Sequence, residues 1–362
     1  MKKIIVTTVA AVLALGALSP ALAKDDLEQP IQVQGRIYAY YMYDLTPYEN
    51  DADKGENSFD LGRAYVRFKG KITEKVKAEI TLDADREYKY SLSQAEDGTY
   101  TLTKTPERFR VFVKYAYLDV GDLIPNHHIQ GGLVKTPWVD YEQGIWGWRV
   151  LRKVALDENK YTNSADLGIA LAGDIVEDYV QHHFSFTNGE GYKNPEEFGG
   201  KTVEYRLSVF PAAKSPSLSG LSANVYVRYA NAVLAKENVD DEKDLSYGFL
   251  AGFEHDKFDA GGGYFMRTAG PEGAETDGNF ITAYGTVKFP VAKGVVKPFG
   301  RVDLVEPNKD ASNDKMTHII GGCGYDFAGG WCTIVPNFQT TLPEASSAVD
   351  IREFFLHTEI NY

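Results

Sequence analysis

The chain has 362 residues, 38 basic against 51 acidic for a net charge of −13, and it carries 23 Tyr, 19 Phe and 34 Gly beside 4 Met and 2 Cys. So acidic a balance argues against nucleic acid as a partner. Two thiols without a suitable neighbouring histidine argue against a zinc site, and the abundance of aromatics and glycine favours sheet over helix.

The chain opens with Lys2 and Lys3, an apolar run from Ile4 to Leu18, then Pro20 and the small-residue pattern Ala21-Leu22-Ala23. This reads as a secretory signal peptide over residues 1–23, cleaved after Ala23. The apolar run is too short for a membrane helix. Removal takes two lysines and no acids, so the mature chain, 24–362, carries 36 basic and 51 acidic residues, a balance of −15. No later stretch offers the roughly 20 apolar residues of a membrane helix. Barrel strands escape that test, because lipid-facing and water-facing residues alternate along them.

A period of two then runs through the chain. Val76, Ala78, Ile80, Leu82 and Ala84 alternate with Lys77, Glu79, Thr81, Asp83 and Asp85. Val203, Tyr205, Leu207 and Val209 alternate with Thr202, Glu204, Arg206 and Ser208, and Ala223, Val225, Val227 and Tyr229 with Ser222, Asn224, Tyr226 and Arg228. In the last twelve residues Phe354, Leu356, Thr358, Ile360 and Tyr362 share one face, while Glu353, Phe355, His357, Glu359 and Asn361 share the other. Such alternation is that of a strand with one polar face. Strands are expected near 31–43, 60–70, 75–86, 108–120, 127–135, 165–174, 178–187, 200–210, 220–230, 244–255, 257–267, 279–289, 295–305, 316–327, 330–340 and 351–362.

Short turns and longer polar segments alternate between these strands, which is the asymmetry of an outer-membrane barrel whose short turns face the periplasm. Phe253, Phe258, Phe289, Tyr325, Phe327 and Tyr362 lie at the short-turn end, where an interfacial aromatic girdle is expected. The expected fold is therefore all-β, a transmembrane antiparallel barrel of about 16 strands.

The segment 136–165 holds Trp138, Trp146 and Trp148, three of the four tryptophans. Exposed indoles gain little, so this third external loop is expected to fold back into the lumen, with a helical turn around Gln143 to Val154. Signal peptide, alternating strands, long third loop and terminal aromatic together resemble the Gram-negative outer-membrane porins, both the general and the phosphate-selective porin-like groups. The likeness spans the mature chain as architecture and rests on pattern. It implies an outer-membrane location in contact with lipid, passage of small ions or polar solutes, no cofactor, and a homotrimer. It also implies that Tyr362 is the signal read by the barrel-assembly machinery, and that the segment Trp138 to Lys153 narrows the pore. That segment carries Asp140, Glu142, Trp146, Trp148, Arg149 and Arg152.

If the apolar face meets lipid, the pore is lined by Arg36, Arg63, Arg67, Lys77, Arg110, Arg206, Arg228 and Arg301, with Lys69, Lys114, Arg267, Lys288 and Lys297. Glu79, Asp83 and Glu353 are among the acids on the same face. Arg36, Arg63 and Arg67 on the first two strands, joined by Arg149, Arg152 and Lys153 of the loop, would form a positive stripe of the kind that favours anions. Balanced by Glu79, Asp83 and Glu353, the expectation is weak anion preference or none.

Cys323 and Cys332 are symmetric about a turn at Phe327-Ala328, which allows a cross-strand disulfide or two free thiols packed as small hydrophobes. His182 falls on the lipid face, a departure that a bulge would explain. A barrel hydrolase is the competing class, but histidines are few and no Gly-x-Ser-x-Gly elbow occurs. A sheath around an electron-transfer partner would need a separate haem protein, since no Cys-x-x-Cys-His motif is present.

Overall fold

The computed structural model describes residues 31–47, 55–94, 100–196, 200–233, 242–271, 273–345 and 349–362. The proposed signal peptide lies outside the described residues. Strands run β1 (Gln32–Asp44), β2 (Asn57–Lys71), β3 (Val76–Gln94), β4 (Tyr100–Gly121), β5 (His127–Lys135), β6 (Ala165–Val176), β7 (Val180–Thr187), β8 (Lys201–Val209) and β9 (Leu221–Val233). They continue as β10 (Glu242–Glu254), β11 (Phe258–Pro271), β12 (Thr276–Val287), β13 (Phe289–Val291), β14 (Gly294–Glu306), β15 (Met316–Phe327), β16 (Cys332–Pro343) and β17 (Ile351–Asn361).

Each strand pairs antiparallel with its neighbours, and β17 returns to pair with β1 through Arg36↔Asn361 to Asp44↔Glu353. The sheet has no free edge, which removes the exposed ladder that an open sheet presents. β12 and β13 both pair with β14 and form one stave broken at Lys288, so the barrel has sixteen staves. Its closure is completed by Tyr362, whose backbone exchanges hydrogen bonds of 2.7 and 3.0 Å with Gly35. The Tyr362 ring lies over Gly35, where a Cβ would meet Cζ at 2.0 Å, so a larger residue there would displace the ring.

The two faces divide as the alternation requires. Ile80, Val225, Val227, Phe249, Ile281, Leu304 and Leu356 are exposed on the outside, while Glu79, Thr81, Asp83, Glu204, Arg228 and Asp303 are buried within. At the short-turn end Phe253 packs on Phe258 at 5.1 Å, and Tyr325, Phe327 and Trp331 form a chain of ring contacts.

Several details differ from the sequence expectation. β3 and β4 extend well beyond it, so part of the polar segment 87–107 is a continued ribbon. The turn between β15 and β16 has four residues, Ala328–Trp331, with Gly329 and Gly330 in the left-handed region at φ 91° and 69°. This moves the hairpin axis along the chain. Cys323 lies beside Pro298 of β14, Cys332 beside Ile360 of β17, and both thiols are free. The cross-strand disulfide is thereby corrected. His182 also needs no bulge: it pairs in regular register with Gly173 and Leu207, and its outward ring sits 5.0 Å from that of His127.

Candidate functional site: a lumen divided by a tryptophan-bearing segment

Between β5 and β6 the chain forms α1 (Val139–Trp146) and α2 (Ala155–Glu158). The expected single turn over Gln143 to Val154 is instead two helices, because Gly147 ends α1 in a left-handed cap at φ 71°. The segment packs on the inner face of β9–β15. Trp138 sits 5.2 Å from the rings of both Tyr226 and Phe265. Trp146 contacts Tyr284 at 5.2 Å, and Trp148 lies 4.4 Å from Phe299. With Leu250, Phe280, Ile320 and Val335 these side chains form one buried apolar cluster inside the barrel. Burying several tryptophan and phenylalanine side chains contributes roughly 2–3 kcal/mol each, an upper bound on how firmly the segment is held.

Polar contacts fix its position. Trp148 Nε1 donates to Thr286 Oγ1 at 2.8 Å, close to the short-turn end, and Gly324 leaves the room its indole fills. Arg301 grips Asp303 and donates to the Lys153 carbonyl at 2.7 Å. Arg206 donates to the Pro137 carbonyl at 2.8 Å and covers the Tyr141 ring at 3.9 Å. Arg228 bonds Asp244 at 2.5 Å and faces Glu204 at 3.8 Å. All three arginines are buried. Arg206, Arg228 and Arg301 therefore do not line open water, as the alternation alone implied; Arg206 and Arg301 hold the segment, and Arg228 is enclosed by Asp244 and Glu204.

Glu142 is fully buried in the same cluster and accepts a 2.6 Å hydrogen bond from Trp138 Nε1. Burial pushes its carboxyl up to about 7, against the opposing pull of the Trp138 bond and the Arg301 charge. On the segment's other charged residues, Arg152 pairs with Glu158 at 3.3 Å and Lys153 with Asp157 at 2.9 Å.

The opposite wall, β1–β4, stays open. A cavity of about 560 Å³ lies between it and the segment, lined by Arg36, Arg67, Lys114, Arg149, Tyr65 and Asp140 among others. Most of the charges here are neutralised. Arg36 meets Glu359 at 3.4 Å, Arg67 meets Glu79 at 3.3 Å, and Lys135 meets Asp140 at 2.9 Å. Burial opposes ionisation of Asp140, but Lys135, Lys114 and the Tyr115 hydroxyl outweigh it and hold the carboxyl down at about 2. Further along the wall Arg63 pairs with Asp83 at 2.5 Å. A second cavity of about 310 Å³ toward the short turns brings Lys77 together with Lys69, Lys71, Glu79 and Asp119. Arg110 is exposed on the inner face opposite Asp85, and Glu353 lies between Asp44 and Gln339.

Two cations of the larger cavity stand outside the direct ion pairs. Lys114 is 5 % exposed, sits 5.1 Å from the Tyr65 ring centroid and 5.3 Å from that of Tyr115, and makes no ion pair among the described residues. Arg149 has a buried Nε without a hydrogen-bond partner. Tyr65, Tyr115 and Gln143 were not singled out from the sequence. The signal was there: apolar residues fall at Val111 and Val113, then at Ala116, Leu118 and Val120. That change of parity marks the register shift in β4 that turns Lys114 and Tyr115 inward together.

Solved structures resemble this barrel over nearly its whole length. The anion-selective porin of Comamonas acidovorans matches with a TM-score of 0.62 at 9% identity, over 92% of this chain and 99% of that one. The fold is that of the outer-membrane porins. OmpF of Salmonella typhi matches the barrel with a TM-score of 0.58 at 9% identity, over 92% and 97%. The trimer form of OmpT, an outer-membrane protein of Vibrio cholerae, matches with a TM-score of 0.57 at 10% identity, over 92% and 99%. No family model and no curated protein matches the chain.

Proposed function

We propose that the chain is a constricted porin of the Gram-negative outer membrane, passing small polar and ionic solutes by passive diffusion with a lean toward anions. Residues 1–23 are removed on export, and 24–362 form the barrel. The observation that carries this reading is the divided lumen: an apolar cluster fills one side, and in the remaining opening beside β1–β4 Lys114 and Arg149 make no direct ion pair among the described residues. Water in that opening is flanked by low-dielectric protein, where an uncompensated charge acts more strongly than at an open surface. The charge of −15 on residues 24–362 opposes anion entry, which keeps the preference modest. A homotrimer fits the fold, and the Vibrio cholerae neighbour is described in a trimer form.

Planar-bilayer recording of the purified mature protein in a salt gradient tests the reading. Discrete conductance steps with a zero-current potential on the anion side are expected. Protein that inserts and conducts nothing would refute it.

A further inference from the structure

Four of the seven histidines stand in adjacent pairs, His127-His128 and His182-His183, and each pair sends one ring to the outer face of the barrel. We propose that the two outward rings, His127 and His182, form a binding site for a divalent transition-metal ion, copper(II) or zinc(II), near the short-turn end. The site lies outside the lumen and stands independently of what the channel passes.

Strand register builds the site. His127 of β5 and His182 of β7 both stand directly opposite Gly173 of β6, so the three residues form one row across three strands. Side chains two strands apart are ordinarily kept apart by the one between them. Gly173 leaves that place open, and a Cβ on it would meet His127 Cγ at 2.7 Å. The two imidazoles therefore meet above the glycine, with ring centroids 5.0 Å apart and planes at 66°. Their nitrogens are free to bind. His127 Nδ1 lies 2.7 Å from the Pro125 carbonyl, which can only accept, so Nδ1 carries the proton and Nε2 keeps its lone pair. His182 Nε2 is buried with no hydrogen-bond partner among the described residues. A buried nitrogen left unpaired costs free energy, and a bond to a metal offsets that cost.

The donor chemistry selects the ion. Imidazole suits copper and zinc, whereas calcium and magnesium take oxygen. A metal about 2.0 Å from a ring nitrogen lies about 3.2 Å from the ring centre, so two imidazoles bound at a tetrahedral angle have centroids about 5 Å apart. The 5.0 Å between His127 and His182 is that spacing. The bond from His127 to Pro125 is the outer contact that a ligating histidine typically makes, and it fixes both tautomer and ring direction. His128 takes no part, since its Nδ1 lies 2.8 Å from Asp119 Oδ1 on the inner face. No group of three or more His, Cys, Asp or Glu suited to a metal occurs among the described residues, so water completes the coordination. Copper(II) binds such a site more tightly than zinc(II). A bound ion clamps β5 to β7 across β6, and β5 and β6 carry the two ends of the tryptophan-bearing segment.

The test is calorimetric titration of the untagged mature protein in detergent, with copper sulfate in one arm and zinc chloride in the other. One ion per barrel is expected, bound more tightly for copper, with nitrogen hyperfine structure from two imidazoles in the copper electron paramagnetic resonance spectrum. The heat-modification temperature should rise with metal, because the ion binds the folded barrel alone. His127→Phe and His182→Phe keep an aromatic ring on the outer face. Each should weaken copper binding at least about tenfold and remove the metal-dependent rise. His128→Gln should bind as the wild type does. Heat-modifiable migration on gels confirms that each variant is a folded barrel. Saturable binding of copper alone narrows the ion and supports the site. Absence of saturable binding below about 1 mM in both arms overturns it. So does binding that is unchanged in both folded Phe variants, or that is weakened as much by His128→Gln.

Discussion

The two sides of the inner wall carry the same kind of residue and do different things with it. On β1–β4, Arg36, Arg67 and Lys114 border a cavity open to water. On β8–β14, Arg206, Arg228 and Arg301 are buried; Arg206 and Arg301 bind Pro137 and Lys153 of the segment between β5 and β6, and Arg228 and Arg301 pair with Asp244 and Asp303. Alternation along a strand decides only that a side chain points inward. What covers it decides whether it meets a solute or holds a loop.

The sharpest way to break this contrast is Arg301→Ala. It leaves Asp303 buried without its partner and frees the Lys153 carbonyl. Removing one member of a buried ion pair costs about 3–5 kcal/mol. The segment should loosen, seen as a wider and noisier conductance and a lower heat-modification temperature.

Glu142 gives a pH handle on the same side. Its carboxyl is raised to about 7 in the docked segment, above its ordinary value of 4.5. Docking is therefore at full strength below pH 4.5, where the acid is protonated in both states. It weakens as pH rises through about 7, by ~3 kcal/mol in total. Conductance noise should grow over that window and become flat with pH in Glu142→Gln. A pH-independent wild type would contradict the assignment.

Gly324→Ala is a steric probe. A Cβ there lies 2.2 Å from the Trp148 indole. Overpacking of this kind costs about 1–3 kcal/mol, and Trp148 should show altered fluorescence with little change in ion preference. On the open side Arg149→Gln should cost under about 0.5 kcal/mol in stability, because Arg149 makes no ion pair among the described residues, yet it should move the zero-current potential toward cations.

The barrel was legible in the sequence because a period of two is written into each strand, as in Glu79 to Asp83 or Thr202 to Ser208, and lipid on one side enforces it. The folding back of the tryptophan segment was legible from composition. Its depth was not, since nothing local says that Trp148 reaches Thr286, 138 positions away in the chain. The fate of the lumen charges depended on that packing, so Arg206, Arg228 and Arg301 read as pore residues. Lys114 was read on the pore face, but Tyr115 beside it sat behind a shift of register, and Cys323 and Cys332 behind a turn two residues longer than its symmetric reading.

The most direct test of the division is the zero-current potential of three variants in one salt gradient. Lys114→Met and Arg149→Gln should each shift it toward cation preference. Arg206→Met, which removes a buried cation that makes no ion pair among the described residues, should leave it where the wild type has it. An Arg206→Met shift as large as the other two, or no shift in either open-side variant, would show that the lumen is not divided in this way.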